Sequence, residues 1–186
     1  TEHIIKRKPK KIYVVEKDDK LSLFLKEKFN NQINIINDDI LNFTERSIST
    51  QKLIVFGNLP YNISSQILSK WIINLDKVFW FKRLILMFQK EVADRIVAKV
   101  NTSEYGRLSI LTNWKLEVEK IIDIDPTCFY PKPKVESSLL VFYPKEKIYP
   151  IHNAKNLEKI TRIFFNQRRK MIKKPFNQLF NNVSKI

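Results

Sequence analysis

Apolar residues along the chain form short runs that alternate with amphipathic stretches. Short apolar runs rich in β-branched residues are typical of buried strands, and apolar residues spaced by three or four are typical of helices packed on a sheet. The runs predict strands over 12–16, 33–36, 53–56, 84–88, 116–124 and 138–142. The amphipathic stretches predict helices over 21–29, 63–75, 89–97, 105–114 and from 156 onward. This alternation predicts an α/β fold whose mixed, mostly parallel sheet ends in two antiparallel strands.

Two of the helical stretches carry more detailed predictions. The apolar side chains of the first should pack on the sheet: Leu21, Leu23, Phe24, Leu25 and Phe29. In the second, Ser64 and Ser65 stand where a helix begins, and serine hydroxyls are good acceptors for the first free N–H groups of a helix. We therefore expect these serines to cap the helix rather than to take part in chemistry.

Positive charge is the strongest feature of the composition. The 186 residues include 34 Lys and Arg against 19 Asp and Glu, for a net charge of +15. Residues 145–186 hold eleven basic and two acidic residues, with Phe164, Phe165 and Phe176 among them. Lysines scattered over the whole surface would indicate solubility alone. Cations clustered with aromatic side chains favour a nucleic-acid partner, and RNA in particular.

Several kinds of protein are excluded by the composition. No apolar run approaches the roughly 20 residues that a membrane-spanning helix needs, and the charged residues 1–8 do not form a secretory signal. We therefore expect a soluble, cytoplasmic protein without a membrane partner, and a monomer. The single cysteine, Cys128, rules out an internal disulfide, and the two distant histidines, His3 and His152, predict no metal site.

The strand at 53–56 ends in Gly57-Asn58-Leu59-Pro60-Tyr61. Ligands of open α/β sheets bind beyond the carboxyl ends of the strands, so this turn would present its side chains to a ligand. Pro60 fixes its own φ, has no N–H and biases Leu59 toward an extended conformation that points the Leu59 carbonyl outward. Asn and Pro are also ordinary turn residues, so a simple strand-ending turn is the alternative.

Six stretches of the chain, in order, resemble the ribosomal RNA adenine N6-dimethyltransferases, a family that also includes the erythromycin-resistance methyltransferases. The stretches are 15–18 (Val-Glu-Lys-Asp), 38–41 (Asp-Asp-Ile-Leu), 58–65 (Asn-Leu-Pro-Tyr-Asn-Ile-Ser-Ser), 89–96, 129–138 and 165–170 (Phe-Asn-Gln-Arg-Arg-Lys). The resemblance covers nearly the whole chain. It is strongest to the bacterial members that dimethylate two adjacent adenines near the 3′ end of small-subunit rRNA, which implies rRNA and the pre-30S particle as partners.

The resemblance implies a Rossmann-like class I methyltransferase fold that uses S-adenosyl-L-methionine. Residues 1–144 would form the methyltransferase domain, and residues 145–186 would begin a small, basic, helical C-terminal domain that contacts RNA. The family's first strand and glycine-rich loop would precede Thr1, and the chain has only two glycines, Gly57 and Gly106. We therefore expect the methyltransferase domain to be N-terminally incomplete, with the first strand missing, and the chain as it stands to be inactive without that loop.

For the cofactor, the resemblance implies that Glu16 accepts hydrogen bonds from the ribose hydroxyls, that Asp39 accepts from the adenine N6, and that Asn58 also contacts it. Asp38 would have a structural role in the next turn. For the target base, Asn58 Oδ1 and the Leu59 carbonyl would accept the two N–H bonds of the adenine amine. Three further residues complete the catalytic set. Pro60 would be the rigid turn residue, and Tyr61 and Phe129 would be the aromatic surfaces on which the base stacks. For Phe129, core packing is the alternative.

The resemblance and the charge pattern together predict an RNA-binding set, namely Arg95, Arg168, Arg169, Lys170, Lys173 and Lys174. Two other functions stay open. One is a non-catalytic RNA-binding factor for ribosome assembly on the same fold. The other is an adenine methyltransferase that acts on large-subunit rRNA or DNA.

Overall fold

The computed structural model describes residues 1–75, 78–166 and 171–180. The chain divides into two compact units, residues 1–51 and residues 52–186. Both units combine helices with hydrogen-bonded strands, which confirms the predicted α/β class. Among the residues that the structure describes, no helix has the length and apolar character that crossing a lipid bilayer requires.

The first unit is a small two-stranded sheet with helices. Its elements are α1 (Glu2–Ile5), β1 (Tyr13–Glu16), α2 (Asp19–Phe29) and β2 (Asn34–Asn37). Single 3-10 turns follow at Asn30–Gln32 and at Glu45–Ser47. β1 and β2 run parallel, with Glu16 opposite Asn37. The two strands therefore end side by side.

Helix α2 begins at a polar cap, because Asp18 Oδ1 accepts the N–H of Leu21 at 2.9 Å. Its buried residues are Ser22 and Phe29. The prediction that its apolar side chains all pack on the sheet is wrong for three of them, which are more than half exposed: Leu21, Leu23 and Phe24. The covered face of α2 contains Ser22, Leu25 and Phe29, which are spaced by three and four residues, and the three exposed side chains lie beside it.

The second unit contains the larger sheet. Its elements are β3 (Leu53–Asn58), α3 (Ser64–Asn74), β4 (Phe81–Gln89), α4 (Lys90–Val97), α5 (Arg107–Lys115), β5 (Leu116–Ile124), β6 (Ser137–Pro144), α6 (Ala154–Asn166) and α7 (Lys173–Phe180). The strand order is β3-β4-β6-β5. β3 and β4 are parallel, and β6 is antiparallel to both β4 and β5. Three strands thus share one direction and β6 opposes them, as predicted for a mixed, mostly parallel sheet.

The hydrophobic core of the second unit lies on β4, β6 and α3. The large side chains there that are almost completely buried include Phe81, Leu84, Leu86, Phe88, Leu140, Phe142, Ile67 and Leu68. The rings of Phe88 and Phe142 meet edge to face, with centroids 6.1 Å apart. Each such side chain stabilises the fold by about 1.5–3 kcal/mol relative to exposure. This packing holds the strand ends that carry the candidate site.

Helix α3 starts without the predicted serine cap. Its N-cap residue is Ile63, and no side chain caps it. Ser64 already belongs to the first turn of the helix, so its hydroxyl donates backward to the carbonyl of Tyr61 at 3.1 Å. The capping prediction for Ser64 and Ser65 is therefore wrong, and Ser64 instead ties the helix to the preceding turn.

The segment after β6 returns onto α5. The indole Nε1 of Trp114 donates to the carbonyl of Tyr149 at 2.8 Å, and Arg107 forms an ion pair with Glu158 of α6 at 2.7 Å. α6 therefore packs within the second unit. The predicted domain boundary between residues 144 and 145 lies inside that unit and stays a prediction.

Candidate active site

The turn after β3 holds the central candidate residues. Asn58 is the last residue of β3, in register with Met87 of β4, and it is exposed. The carbonyl of Pro60 accepts the N–H of Ile63 at 3.1 Å, which closes the turn. The Asn58 amide therefore lies outside the packed interior, at the carboxyl end of a parallel strand, where a ligand can reach it.

Gly57 gives this turn its close packing. A Cβ at position 57 would lie 2.8 Å from Cδ2 of Leu86 and 3.0 Å from Cδ2 of Leu59. The missing side chain therefore leaves room for the side chains of both Leu59 and Leu86 next to position 57. Sequence reasoning assigned no role to Gly57, although a glycine inside a strand often marks a close approach.

Tyr61 is attached to the sheet through a serine. Its hydroxyl and Ser137 Oγ are 2.6 Å apart. Ser137 is completely buried and is the first residue of β6, where it pairs with Gln89 of β4 and Ile124 of β5. The tyrosine ring is thus held from its far end by the most constrained part of the sheet. Sequence analysis gave Ser137 no role; two serines at the start of an otherwise apolar strand were the signal.

Phe129 follows a 3-10 turn at Pro126–Cys128 and is half-buried. Asp125 caps this turn by accepting the backbone N–H of Thr127 at 2.8 Å and its hydroxyl at 2.6 Å. The hydroxyl bond and the N–H bond from Thr127 lower the pKa of Asp125. The loop that carries Phe129 therefore has a fixed local structure at neutral pH.

The same loop is rooted beside the tyrosine contact. It leaves β5 after Ile124 and enters β6 at Ser137, and these two residues pair across the strands. Because Ser137 also contacts Tyr61, the fold brings the root of the Phe129 loop to the turn that holds Tyr61. The stacking of one base between Tyr61 and Phe129 stays a prediction.

In the first unit, Glu16 and Asp39 follow adjacent parallel strands. The N–H of Asp38 donates to the carbonyl of Glu16 at 3.2 Å, and Asp38 Oδ1 accepts the N–H of Asp39 at 2.7 Å. Glu16 Oε1 accepts the N–H of Asp18 at 2.9 Å. Glu16 and Asp38 are thus oriented by main-chain contacts. A role for Asp38 in the next turn stays a prediction, because the side chain that accepts an N–H within that turn is Asp39.

Asp39 has a partner that sequence analysis missed. Its Oδ2 lies 2.8 Å from Nζ of Lys17, and its Oδ1 accepts the N–H of Leu41 at 2.9 Å. The hydrogen bond and the charge of Asp39 raise the pKa of Lys17. Lys17 is 75 % exposed, so solvent screens this pair and a ligand can displace the lysine.

A network of charged residues links α4 to β5 and β6. Lys120 contacts Asp94 at 2.9 Å and Asp123 at 2.7 Å, while Lys90 pairs with Glu136. Hydrogen bonds from Lys120 and from Ser138 lower the pKa of Asp123. The network fixes α4 against the two strands that flank the Phe129 loop.

The residues of the predicted RNA-binding set lie in different parts of the chain. Arg95 is on α4, where it pairs with Glu91 four residues earlier and remains about half exposed. Lys173 and Lys174 begin α7 and are exposed. Arg168, Arg169 and Lys170 lie outside the described residues. RNA contact by this set stays a prediction.

These elements define an α/β protein of the Rossmann-like class I methyltransferase type, with acidic side chains after two parallel strands and an exposed Asn-Leu-Pro-Tyr turn after a third. A family model described as ribosomal RNA adenine dimethylase matches residues 1–185. The chain belongs to this family, as its motifs predict.

Its relatives among curated proteins include two named ribosomal RNA small subunit methyltransferase A. The one from Pelagibacter ubique is 64 % identical over 186 residues, and the match covers the whole of this chain and 71 % of the relative. The one from Ehrlichia ruminantium is 42 % identical over 192 residues, again covering the whole chain and 71 % of the relative. The chain therefore spans about seven tenths of these relatives.

Two solved structures are similar to the chain. A dimethyladenosine transferase from Plasmodium falciparum has a TM-score of 0.73 and 28 % identity, with 90 % of this chain and 60 % of that chain covered. The 23S rRNA methyltransferase ErmE has a TM-score of 0.63 and 21 % identity, with 91 % of this chain and 67 % of that chain covered. The similarity to ErmE, at 21 % identity, shows a shared fold alone.

Proposed function

We propose that this protein dimethylates N6 of two adjacent adenines near the 3′ end of small-subunit rRNA, with S-adenosyl-L-methionine as the methyl donor. Family membership and the two small-subunit relatives support this proposal. The observation that carries it is the exposed amide of Asn58 in a turn whose tyrosine is fixed to Ser137.

The chemistry explains why such a turn is required. The lone pair of an exocyclic adenine amine is delocalised into the ring, which makes the nitrogen a poor nucleophile. Asn58 Oδ1 and the Leu59 carbonyl are acceptors for its two N–H groups, and holding both favours a pyramidal nitrogen with an accessible lone pair. The turn thus activates the amine by position and hydrogen bonding.

No separate general base is needed in this mechanism. The nitrogen becomes acidic as it is alkylated, and the proton leaves toward the acceptors of the turn or toward water. A catalytic histidine is therefore not required. When bound, S-adenosyl-L-methionine would supply the methyl group already activated on a sulfonium, whose sulfur would leave as a neutral thioether.

A target adenine has to leave its stack before its amine can enter the turn. Tyr61 supplies a ring held at its hydroxyl by Ser137, and Phe129 is the proposed second ring. Base stacking on aromatic side chains is worth about 1–3 kcal/mol per base. This energy offsets part of the cost of unstacking the adenine.

The cofactor fits the acidic residues of the first unit. Glu16 uses Oε1 for a main-chain bond, which orients the carboxylate as an acceptor for ribose hydroxyls. Asp39 suits the adenine amine of the cofactor once Lys17 has moved from Oδ2. By the family resemblance, Asn58 is proposed as a further cofactor contact. Isothermal calorimetry on Glu16→Gln and Asp39→Asn tests both carboxylates.

The central experiment replaces Asn58 with alanine in the full-length product of the gene. Methyl transfer from tritiated S-adenosylmethionine to small subunits that lack the modification should fall by at least a hundredfold, because a contact made in the transition state is lost. The affinity for rRNA should stay within about twofold. Asn62→Ala, at the other exposed asparagine of the motif, is the matched control and should retain activity. Full dimethylation by Asn58→Ala would remove Asn58 from the catalytic role.

The site of modification separates the remaining functions. Mapping of dimethyladenine in rRNA from cells without the gene should show its loss from the small subunit. Loss from the large subunit would assign the protein to that substrate instead. An unchanged pattern together with intact binding to small-subunit particles would indicate a non-catalytic assembly factor.

We propose that the protein acts in the cytoplasm and that it is a monomer. Sedimentation of the purified protein tests the oligomeric state.

A further inference from the structure

A groove in the second unit runs along one face of α3. Its first wall consists of residues that share that face because of the helical repeat: Ser65, Gln66, Ser69, Lys70, Ile73 and Asn74. The opposite wall consists of Arg107 of α5 and of side chains of α6. The cavity between these walls has a volume of about 560 Å3. We call it the α3 groove.

The α3 groove is cationic. The basic side chains that line it are Lys70, Lys155, Lys159, Arg107 and Arg162. Glu158 is the one acid among the described residues of the lining, and it pairs with Arg107 at 2.7 Å. Lys155, Lys159 and Arg162 are exposed. Their charge is therefore directed to solvent along one wall, which attracts a polyanion.

Two residues of the lining carry a buried polar atom without a partner among the described residues. Ser69 is 4 % exposed, and its Oγ has no hydrogen-bond partner among the described residues. Nε of Arg107 is also buried without such a partner. Buried polar groups in folded proteins are nearly always hydrogen-bonded. Because both atoms are buried, the Ser69 or Arg107 side chain would have to turn toward the groove before a bound anionic oxygen could accept from it.

The groove starts at the reactive turn. Ser65 lies four residues after Tyr61, and Ser64 between them donates its hydroxyl to the Tyr61 carbonyl. From there α3 continues for the rest of its eleven residues, a length of about 16 Å. A strand bound in the groove would therefore leave the turn directly and follow the helix.

The chemistry of the lining favours a backbone over bases. Among the described residues of the lining there is no aromatic side chain, so the groove offers no surface for base stacking. It offers hydroxyl, amide and cationic donors instead, from residues such as Gln66 and Asn74. Donors of these types bind phosphate and sugar oxygens and set the position of a nucleic acid without reading its sequence.

A second cavity of about 440 Å3 shares Ser65, Arg107 and Arg162 with the α3 groove and includes Arg95. The two cavities therefore adjoin, and the second is also lined by Glu104, Tyr105 and Phe165. Arg95, predicted from sequence to contact RNA, is among the residues that line the second cavity.

We propose that the α3 groove binds the sugar-phosphate backbone of the RNA strand next to the target adenine and so feeds that adenine to the turn. The assignment deepens the function proposed above and rests on it, because the direction of the strand is set by the turn. An acidic protein segment is the competing occupant, and the experiments separate the two.

The first experiment removes three exposed charges from the α6 wall in the full-length protein, as Lys155→Gln, Lys159→Gln and Arg162→Gln together. The control variant also loses three exposed charges, Lys52→Gln, Lys82→Gln and Lys147→Gln. Lys52 and Lys82 lie at the amino ends of β3 and β4, away from the turn. Binding to an rRNA fragment that contains the adjacent target adenines is measured over a range of salt concentrations.

The groove variant should bind at least tenfold more weakly, and the slope of log K against log salt should become shallower by about 2, since each phosphate contact of a single strand contributes about 0.7. The control should change much less. KM for the RNA should rise while kcat at saturating RNA and cofactor affinity stay unchanged. A slope equal to that of the wild type would overturn the proposal, as would weakened binding of a protein partner with RNA binding intact.

The wild-type protein separates this proposal from the proposed function. If it binds the fragment with a groove-dependent slope but does not methylate it, the function fails and the groove remains an RNA site. If the wild-type protein methylates the fragment and the triple variant has a normal KM and a normal salt slope, the proposed function stands and only the RNA-binding role of the groove is wrong.

The second experiment measures direction. An iron chelate that produces hydroxyl radicals is attached to a single cysteine at Gln66→Cys or at Asn74→Cys, in a Cys128→Ser background. The two positions are eight residues apart, about 12 Å along α3. Cleavage from position 74 should fall several nucleotides farther from the target adenine than cleavage from position 66. Identical cleavage patterns would contradict a strand that follows the helix.

Discussion

The two compact units hold their candidate residues by different means. In the first, Glu16 and Asp39 follow a two-stranded sheet and are oriented by main-chain bonds and by an exposed lysine. In the second, Tyr61 is bonded to Ser137, a completely buried residue at the start of a central strand. The first arrangement is local and polar, whereas the second depends on the packing of a whole sheet.

This difference has a consequence for function. A residue held by local polar contacts can change partners when a ligand arrives, because each exposed contact is weak. A residue held by a packed core keeps its position, because moving it would disturb many contacts. We infer that the first unit adapts to its ligand and that the second presents a preorganised site. The following predictions test this contrast, from the largest expected effect to the smallest.

The largest contrast should come from two phenylalanines. Phe142 is completely buried in the second unit, and Phe24 is 53 % exposed in the first. Phe142→Ala should lower the free energy of unfolding by about 3–5 kcal/mol, and Phe24→Ala by less than about 1 kcal/mol. Urea denaturation followed by circular dichroism measures both. Equal losses would show that the first unit is packed as tightly as the second.

A buried lysine should give the next largest effect. Lys115 is 6 % exposed, and its Nζ donates to the carbonyls of Ile72, at 3.0 Å, and of Leu75, where α3 ends. Lys115→Met keeps the length of the side chain but leaves both carbonyls without this donor, which should cost about 2–3 kcal/mol. Lys147→Met, at an exposed position, is the control and should change the stability by less than about 0.5 kcal/mol. An unchanged denaturation midpoint for Lys115→Met would contradict this role.

The elements of the fold could largely be predicted because their signals are local. The strand at 116–124 has the predicted bounds, since its alternating pattern is bounded by a helix and by a proline turn. Strand β4, by contrast, extends beyond the predicted 84–88, to Phe81–Gln89. Most of the added residues are polar or charged (Lys82, Arg83 and Gln89), and they are held by pairing with neighbouring strands, which no single stretch of sequence reveals.

The contacts that fix the candidate site could not be predicted, because they join distant parts of the chain. Tyr61 and Ser137 are 76 positions apart, and Lys17 and Asp39 are 22 apart. Residue type indicates that a hydroxyl or a carboxylate will find a partner but not which one it finds. The motif identified the turn, whereas the residues that support it required the fold.

The Ser64 prediction failed for a related reason. A serine caps a helix well only when it is the residue immediately before the first turn. Here that residue is Ile63, whose N–H bonds to the carbonyl of Pro60, so Ser64 already lies inside the helix. A shift of one residue therefore changed a capping serine into a link between helix and turn.

The tyrosine contact provides a test of preorganisation with a smaller effect. Ser137→Ala removes the partner of the Tyr61 hydroxyl and should lower stability by about 0.5–1.5 kcal/mol. With the ring no longer held, kcat/KM for the RNA should fall about tenfold, while cofactor affinity stays unchanged. Tyr61→Phe removes the same hydrogen bond from the other side and should produce the same loss.

The double variant distinguishes positioning from general destabilisation. If the hydrogen bond is the cause, Ser137→Ala combined with Tyr61→Phe should be no worse than either change alone. Ser137→Thr, which keeps the hydroxyl, should restore most of the activity. Additive losses would mean that the two residues act independently and that the sheet does not hold the ring through this contact.

The smallest effect should appear in the first unit, at Lys17. Lys17→Met removes the cation that contacts Asp39, so a cofactor would no longer have to displace it. The affinity for S-adenosylmethionine should therefore rise a few-fold, and the free energy of unfolding should not change. Lys20→Met, on exposed α2 surface, is the matched control, and isothermal calorimetry is the measurement. Asp39→Asn should weaken binding and should abolish the effect of Lys17→Met, because the two residues act through one contact. Weaker binding by Lys17→Met would mean that the lysine itself contacts the cofactor, and the first unit would then be as preorganised as the second.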